Sequence, residues 1–121
     1  MRSGGRHIKA TVSLTVRDFT PQILRKHHAG FDKVVEQTAY AFEGWAKVNA
    51  PIDTGFLRNS IQASRANVPL TWWVNVGAEY GIHQEFGTMY QSGTPFMRPA
   101  ASRVSTSFTN GLLKVMNQEA K

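Results

Sequence analysis

Ala50-Pro51-Ile52-Asp53-Thr54-Gly55-Phe56-Leu57-Arg58 divides the 121-residue chain into two kinds of pattern. Upstream, Ile23, Leu24, His27, Phe31, Val34, Val35, Thr38, Ala41, Phe42 and Trp45 recur at steps of three and four residues, the spacing of one helix face. Thr20-Pro21 supplies the start, an N-cap hydroxyl followed by a proline at the first helical position. Pro51 supplies the stop, because it disfavours a helical Ala50. The spacing predicts one long helix to about Asn49, with Gly30 as the point where it bends or divides.

On either side of that helix the period changes to two. Ile8, Ala10, Val12, Leu14 and Val16 alternate with polar residues, which predicts a strand over 8–17. Beyond Gly55, residues 59–66 and 71–78 read as two strands of a hairpin or meander joined by Asn67-Val68-Pro69-Leu70. In the second, Trp72, Val74, Val76 and Ala78 share one face, and Trp73 and Asn75 the other. From Arg98 a weaker helical stripe runs through Ala101, Val104, Phe108, Leu112, Val115 and Met116, with Gly111 and a run of Ser and Thr favouring a break. The fold class expected is α+β: a twisted, mainly antiparallel sheet with a long helix from the N-terminal half packed on it and a C-terminal helix. One domain spans 1–121, with 1–7 as a flexible arm and 88–95 as a mobile loop; the pattern leaves the state of 79–95 open.

Composition narrows the chemistry. The chain has no cysteine, which excludes thiol nucleophiles, thiolate metal sites and a disulfide framework. No apolar run reaches the ~18 residues that span a bilayer, and Met1–Lys9 lacks the apolar core of a secretory signal. Charged residues make up 18% of the chain, a low share that suits a surface partly given to interfaces. The net charge of +6 is concentrated in residues 1–33, which carry a net of +5 and could face an anionic partner.

Asp53-Thr54-Gly55 is also the triplet of aspartic proteases, in which two carboxylates about 3 Å apart share one proton. A dimeric enzyme using Asp53 needs the triplet directly after a buried strand and a small residue after the glycine. Here a helical stripe and Ala-Pro precede it and bulky Phe56 follows. The favoured reading is a turn in which Asp53 caps the Gly55 or Phe56 N–H, Gly55 supplies conformational freedom, and Phe56 and Leu57 enter the core.

Adjacent His27 and His28 diverge by roughly 100° on a helix and cannot share an ion, and His83 with Glu85 lacks further ligands at any useful spacing. The chain has no Gly-x-Ser-x-Gly elbow and no Gly-Lys-Ser or Gly-Lys-Thr phosphate cradle. No metal and no cofactor is expected. Sequence-independent nucleic-acid binding is the alternative reading, with the basic N-terminal third neutralising phosphates and Trp72 or Trp73 stacking on bases.

Three blocks taken together are more specific: A-P-I-D-T-G-F-L-R-N-S over 50–60, G-A-E-Y-G-I-H-Q-E-F-G-T over 77–88, and P-F-M-R-P-A over 95–100. In order and spacing they resemble the small tail-component family of tailed bacteriophages, whose members are called head-tail joining, tail completion, tail terminator-like, neck or minor tail proteins. The resemblance covers about residues 20–118. Gly81 stands where alanine is usual, Phe56 where a polar or basic residue is frequent, and Thr94 where a proline often precedes Pro95.

The resemblance implies a non-enzymatic virion protein of the tail or head-tail junction, assembled in the bacterial cytoplasm. It implies partners in copies of itself forming a ring, possibly a hexamer, and in the tail tube and the head connector or neck proteins. Chance contact with passing DNA is compatible with it, and no membrane is involved. Within that scheme Pro51, Asp53, Thr54 and Gly55 set the turn that launches the first central strand, with Leu57 and Arg58 behind it. Glu85, Phe86, Gly87 and Thr88 place a carboxylate beside an apolar plug and a hinge, and Glu85 pairs with Arg58 or Arg98. Pro95 and Pro99 bracket Phe96 and fix the entry to the last helix before Arg98.

Overall fold

Thr20 begins the helical half as its sequence predicts: its hydroxyl accepts from the Ile23 N–H at 3.3 Å, and Pro21 occupies the first turn. The structure, a computed structural model, describes residues 11–16, 19–50, 55–78, 85, 86, 93 and 95–119. The expected arm over 1–7, nearly all of the loop over 88–95, and Pro51, Asp53 and Thr54 lie outside those residues.

The long stripe forms two helices, α1 (Pro21–Lys26) and α2 (His28–Asn49). The division falls at His27, not at Gly30. His27 leaves helical geometry at φ −108°, ψ 17°, its N–H donating back to the Ile23 carbonyl while its carbonyl accepts from Phe31 N–H. This turns the imidazole inward, 6% exposed, onto the Phe31 ring at 5.6 Å, with Phe19 5.2 Å from Phe31 on another side. At the far end Ala50 is extended (φ −69°, ψ 141°), as a residue before proline must be.

The second half opens with a short helix, α3 (Phe56–Asn59), where the sequence predicts a direct passage from turn to strand. The strands β1 (Thr11–Thr15), β2 (Ile61–Arg65) and β3 (Thr71–Val76) are shorter than the alternation suggests, and Asn59 belongs to α3. They form an antiparallel sheet in the order β1-β3-β2, with Val12 opposite Val74 and Ala63 opposite Val74 on the other side. Among the described strands, the one launched after Gly55 is therefore β2, outermost in the order, and the central strand is β3.

Along β3 the apolar face holds as expected: Trp72, Val74 and Val76 are buried, whereas Trp73 is exposed; on the other face Thr71 is also buried. Trp72 is thus a core residue and is not available for stacking on a base. The turn before β3 places Leu70 at φ +58°, a conformation costing an L-residue about 1–2 kcal/mol, with its side chain buried in the core.

Helix α2 joins the two halves. Phe31, Val35, Ala39, Phe42 and Ala46, all fully buried, pack in one cluster with Ile61, Val74 and Val76 of the sheet and with Ala100, Val104 and Leu112 of the last helix. Ala41 and Trp45, expected on this stripe, lie exposed instead; Ala39 and Ala46 take their places. The last helix, α4 (Met97–Glu119), is unbroken despite its Ser, Thr and Gly content. Glycine is needed at position 111 for a packing reason: an added Cβ would stand 2.9 Å from Val34 Cγ1. The architecture is α+β, an antiparallel sheet with helices packed on it and a helix at the C-terminus.

Candidate functional site: the joint at Glu85

Helix α4 begins with four backbone N–H positions that have no partner within the helix, at Phe96, Met97, Arg98 and residue 99. Position 99 is proline, so the fourth donor does not exist. Glu85 takes the other three: Oε1 accepts from Phe96 N–H at 2.9 Å and Met97 N–H at 2.8 Å, and Oε2 from Arg98 N–H at 3.0 Å. A residue eleven positions upstream thus acts as the complete cap of a 23-residue helix.

The Arg98 side chain closes the joint from outside. Its Nε donates to Glu85 Oε2 at 2.9 Å, and its terminal nitrogen donates to the Glu85 carbonyl at 3.1 Å. The two partners differ in setting: the Glu85 side chain is 2% exposed and the Arg98 side chain 61%. Burial pushes the Glu85 carboxyl up, but the backbone donors of Met97, Phe96 and Arg98, together with the Arg98 side chain, outweigh it and hold it below its ordinary value. The carboxylate stays ionised, which also suits the positive end of the helix dipole.

Of the two partners anticipated for Glu85, the structure selects Arg98. Arg58 serves elsewhere, its Nε donating to the Lys47 carbonyl at 3.0 Å near the end of α2. Phe86 is not the expected plug: it is 64% exposed, with the Arg98 guanidinium 5.1 Å from its ring centre. Phe96 is the plug, fully buried between Pro95 and the start of α4. Gly87, Thr88 and His83 lie outside the described residues.

Around the first block, Gly55 adopts φ +74°, the freedom expected of it. Its carbonyl accepts the Asn59 N–H at 2.9 Å, closing α3, and Leu57 is buried. The Asp53 cap lies outside the described residues, as does the Phe56 side chain. Gly55 stands between the end of α2 and the start of α3, whereas a protease dyad requires its triplet after a strand.

Two contacts had weak or no signal in the sequence. Glu43 Oε1 accepts the Ala63 N–H of β2 at 2.7 Å while Oε2 pairs with Lys47 Nζ at 3.0 Å; only the helical Glu-Lys spacing was visible. Arg103 lies over the Trp45 ring at 4.1 Å, a contact between α2 and α4. Among the described residues, no group of three or more His, Asp and Glu is placed to hold a metal ion, and no helix is long and apolar enough to cross a membrane.

Comparison with known proteins gave no significant match, whether to a protein-family model, a curated protein or a solved structure.

Proposed function

We propose that the chain is a structural virion protein of a bacteriophage head-tail junction, acting in tail completion or termination and head-tail joining through ring-forming contacts. The observation that carries this reading is the Glu85 joint. Two of the sequence blocks on which the resemblance rests, 77–88 and 95–100, meet there through Glu85, Phe96, Met97 and Arg98. The contacts described there hold a backbone together. Residues that hold a backbone joint in place serve shape, and we read that shape as made to fit other proteins.

Exposed apolar side chains give the same reading a surface. Phe86, Trp73, Val68 and Leu113 are each 40% or more exposed and available to a partner. The test uses the purified full-length chain, alone and mixed with tail tubes of a tailed phage, sized by light scattering and imaged in negative stain. Rings, and density capping tube ends, are the expected result. A protein that forms no ring and ignores tube ends overturns the proposal.

A further inference from the structure

The carboxylates of α2 lie on the flank that faces β2. Asp32 pairs with Arg65 at 2.7 Å, Glu43 holds the Ala63 N–H and Lys47, and the charge of Glu36 acts on the same Arg65. Glu85, the remaining carboxylate among the side chains described, pairs with Arg98. Each of these negative charges has a cation of its own chain beside it.

The solvent face of the α2–α4 pair carries the opposite sign, unpaired. Gly30 against Val115, Val34 against Gly111 and Trp45 under Arg103 set the two helices antiparallel along their length. That alignment puts Lys33 of α2 nearly level with Lys114 of α4, with Arg103 about 16 Å further along α4 at ~1.5 Å per residue. All three are exposed, and none has an ion-pair partner among the described residues. Gln37 and Asn110, also exposed, lie between them and add amide donors. The Arg103 guanidinium sits 4.1 Å from the centre of the Trp45 ring, a stack that fixes it while leaving its N–H edge open to an oxyanion.

The geometry points to the phosphate backbone of duplex DNA as what this face takes, laid along the seam between α2 and α4. Arginine, lysine and amide side chains hold phosphate oxygens without reading bases, so the contact is independent of sequence. The net charge of +6 draws a polyanion toward it. An acidic protein would need an apolar anchor between the charges, where this face offers Gln37 and Asn110, and Trp45 is covered by Arg103. Only Lys33 belongs to the basic N-terminal third, and the buried Trp72 takes no part. The contact does not depend on the head-tail reading.

Fluorescence anisotropy of a labelled duplex of about 20 base pairs, titrated with the full chain at salt concentrations from about 50 to 300 mM, tests it. Each phosphate contact contributes about 0.9 to the fall of log affinity with log salt, so replacing Lys33, Arg103 and Lys114 together by glutamine should lower that slope by about 2.7 per bound chain. Lys33→Gln with Lys114→Gln, which leaves the Arg103–Trp45 contact in place, should lower it by about 1.8, with an unchanged melting curve as the check on folding. Arg25→Gln with Lys26→Gln removes two exposed cations outside the face and should leave the slope as it is. Equal losses in the two double variants would mean that binding follows net charge alone, and would overturn the assignment. So would a wild type with no salt-dependent affinity for the duplex. Polyglutamate that displaces the duplex at equal charge concentration would overturn it in favour of an acidic protein partner.

Discussion

Gly30 and Val115 occupy one another's space: a Cβ on Gly30 would stand 2.5 Å from Val115 Cγ1. Val34 meets Gly111 in the reciprocal contact, so α2 and α4 approach through two interlocked glycine–valine pairs. Their closeness makes the effect of alanine depend on which helical glycine is changed.

At Gly30, the gain in helix propensity of about 1 kcal/mol is outweighed by overpacking against a β-branched side chain held on another helix, typically 1–3 kcal/mol. Gly30→Ala is expected to lower stability in urea unfolding. Adding Val115→Ala removes the clash, so Gly30→Ala on that background becomes neutral or stabilising. At Gly44, where the added methyl meets nothing, alanine should raise stability by about 1 kcal/mol under conditions where the chain is monomeric.

Glu85→Gln replaces an acceptor-only carboxylate with an amide that brings its own donors to three N–H groups. The loss of a helix cap and of buried charge-assisted bonds is expected to cost about 2–4 kcal/mol. Arg98→Ala removes a partner that is 61% exposed and should cost about 1 kcal/mol or less. Parallel denaturant titrations rank the two; equal losses would mean that the ion pair, not the backbone cap, holds the joint.

The same carboxylate sets an acid limit. Its folded pKa lies below the ordinary 4.5, so its contribution is present above that value and is lost as pH falls through the lower folded value. The stability gap between wild type and Glu85→Gln should be constant from neutral pH to about pH 5 and narrow below pH 4.5. Unfolding free energies measured across pH 3–7 would read it, and a gap that widens toward acid would refute it.

Gly55 sits at φ +74°, so Gly55→Ala is expected to cost about 1–2 kcal/mol by steric conflict in the backbone. Gly55→Asn, which tolerates that region, should cost less. Thermal melts of the two variants provide the comparison, and identical losses would point to the side chain's surroundings instead.

Elements with a strong period were legible in the sequence. Thr20-Pro21 fixed one helix start, Pro51 one helix end, and the alternation from Trp72 to Val76 the faces of the central strand. What stayed hidden depends on distant partners. Gly30 and Gly111 read as breaks because a sequence shows the missing side chain and not the valine that fills its place. Phe86 and Phe96 look alike as apolar residues in the two later blocks, yet only Phe96 lies buried at a helix start. The choice between Arg58 and Arg98 for Glu85 was settled by the free N–H groups of α4, a requirement of the helix and not of either arginine.

The Glu43 carboxylate on the Ala63 N–H has a consequence for polymerisation. A fibre grown sheet to sheet needs two usable borders on every unit, one to receive and one to offer. On β2 the offering border is interrupted at its middle by a side chain already in place. Among the described residues, strand addition along β2 would have to displace the Glu43 carboxylate first.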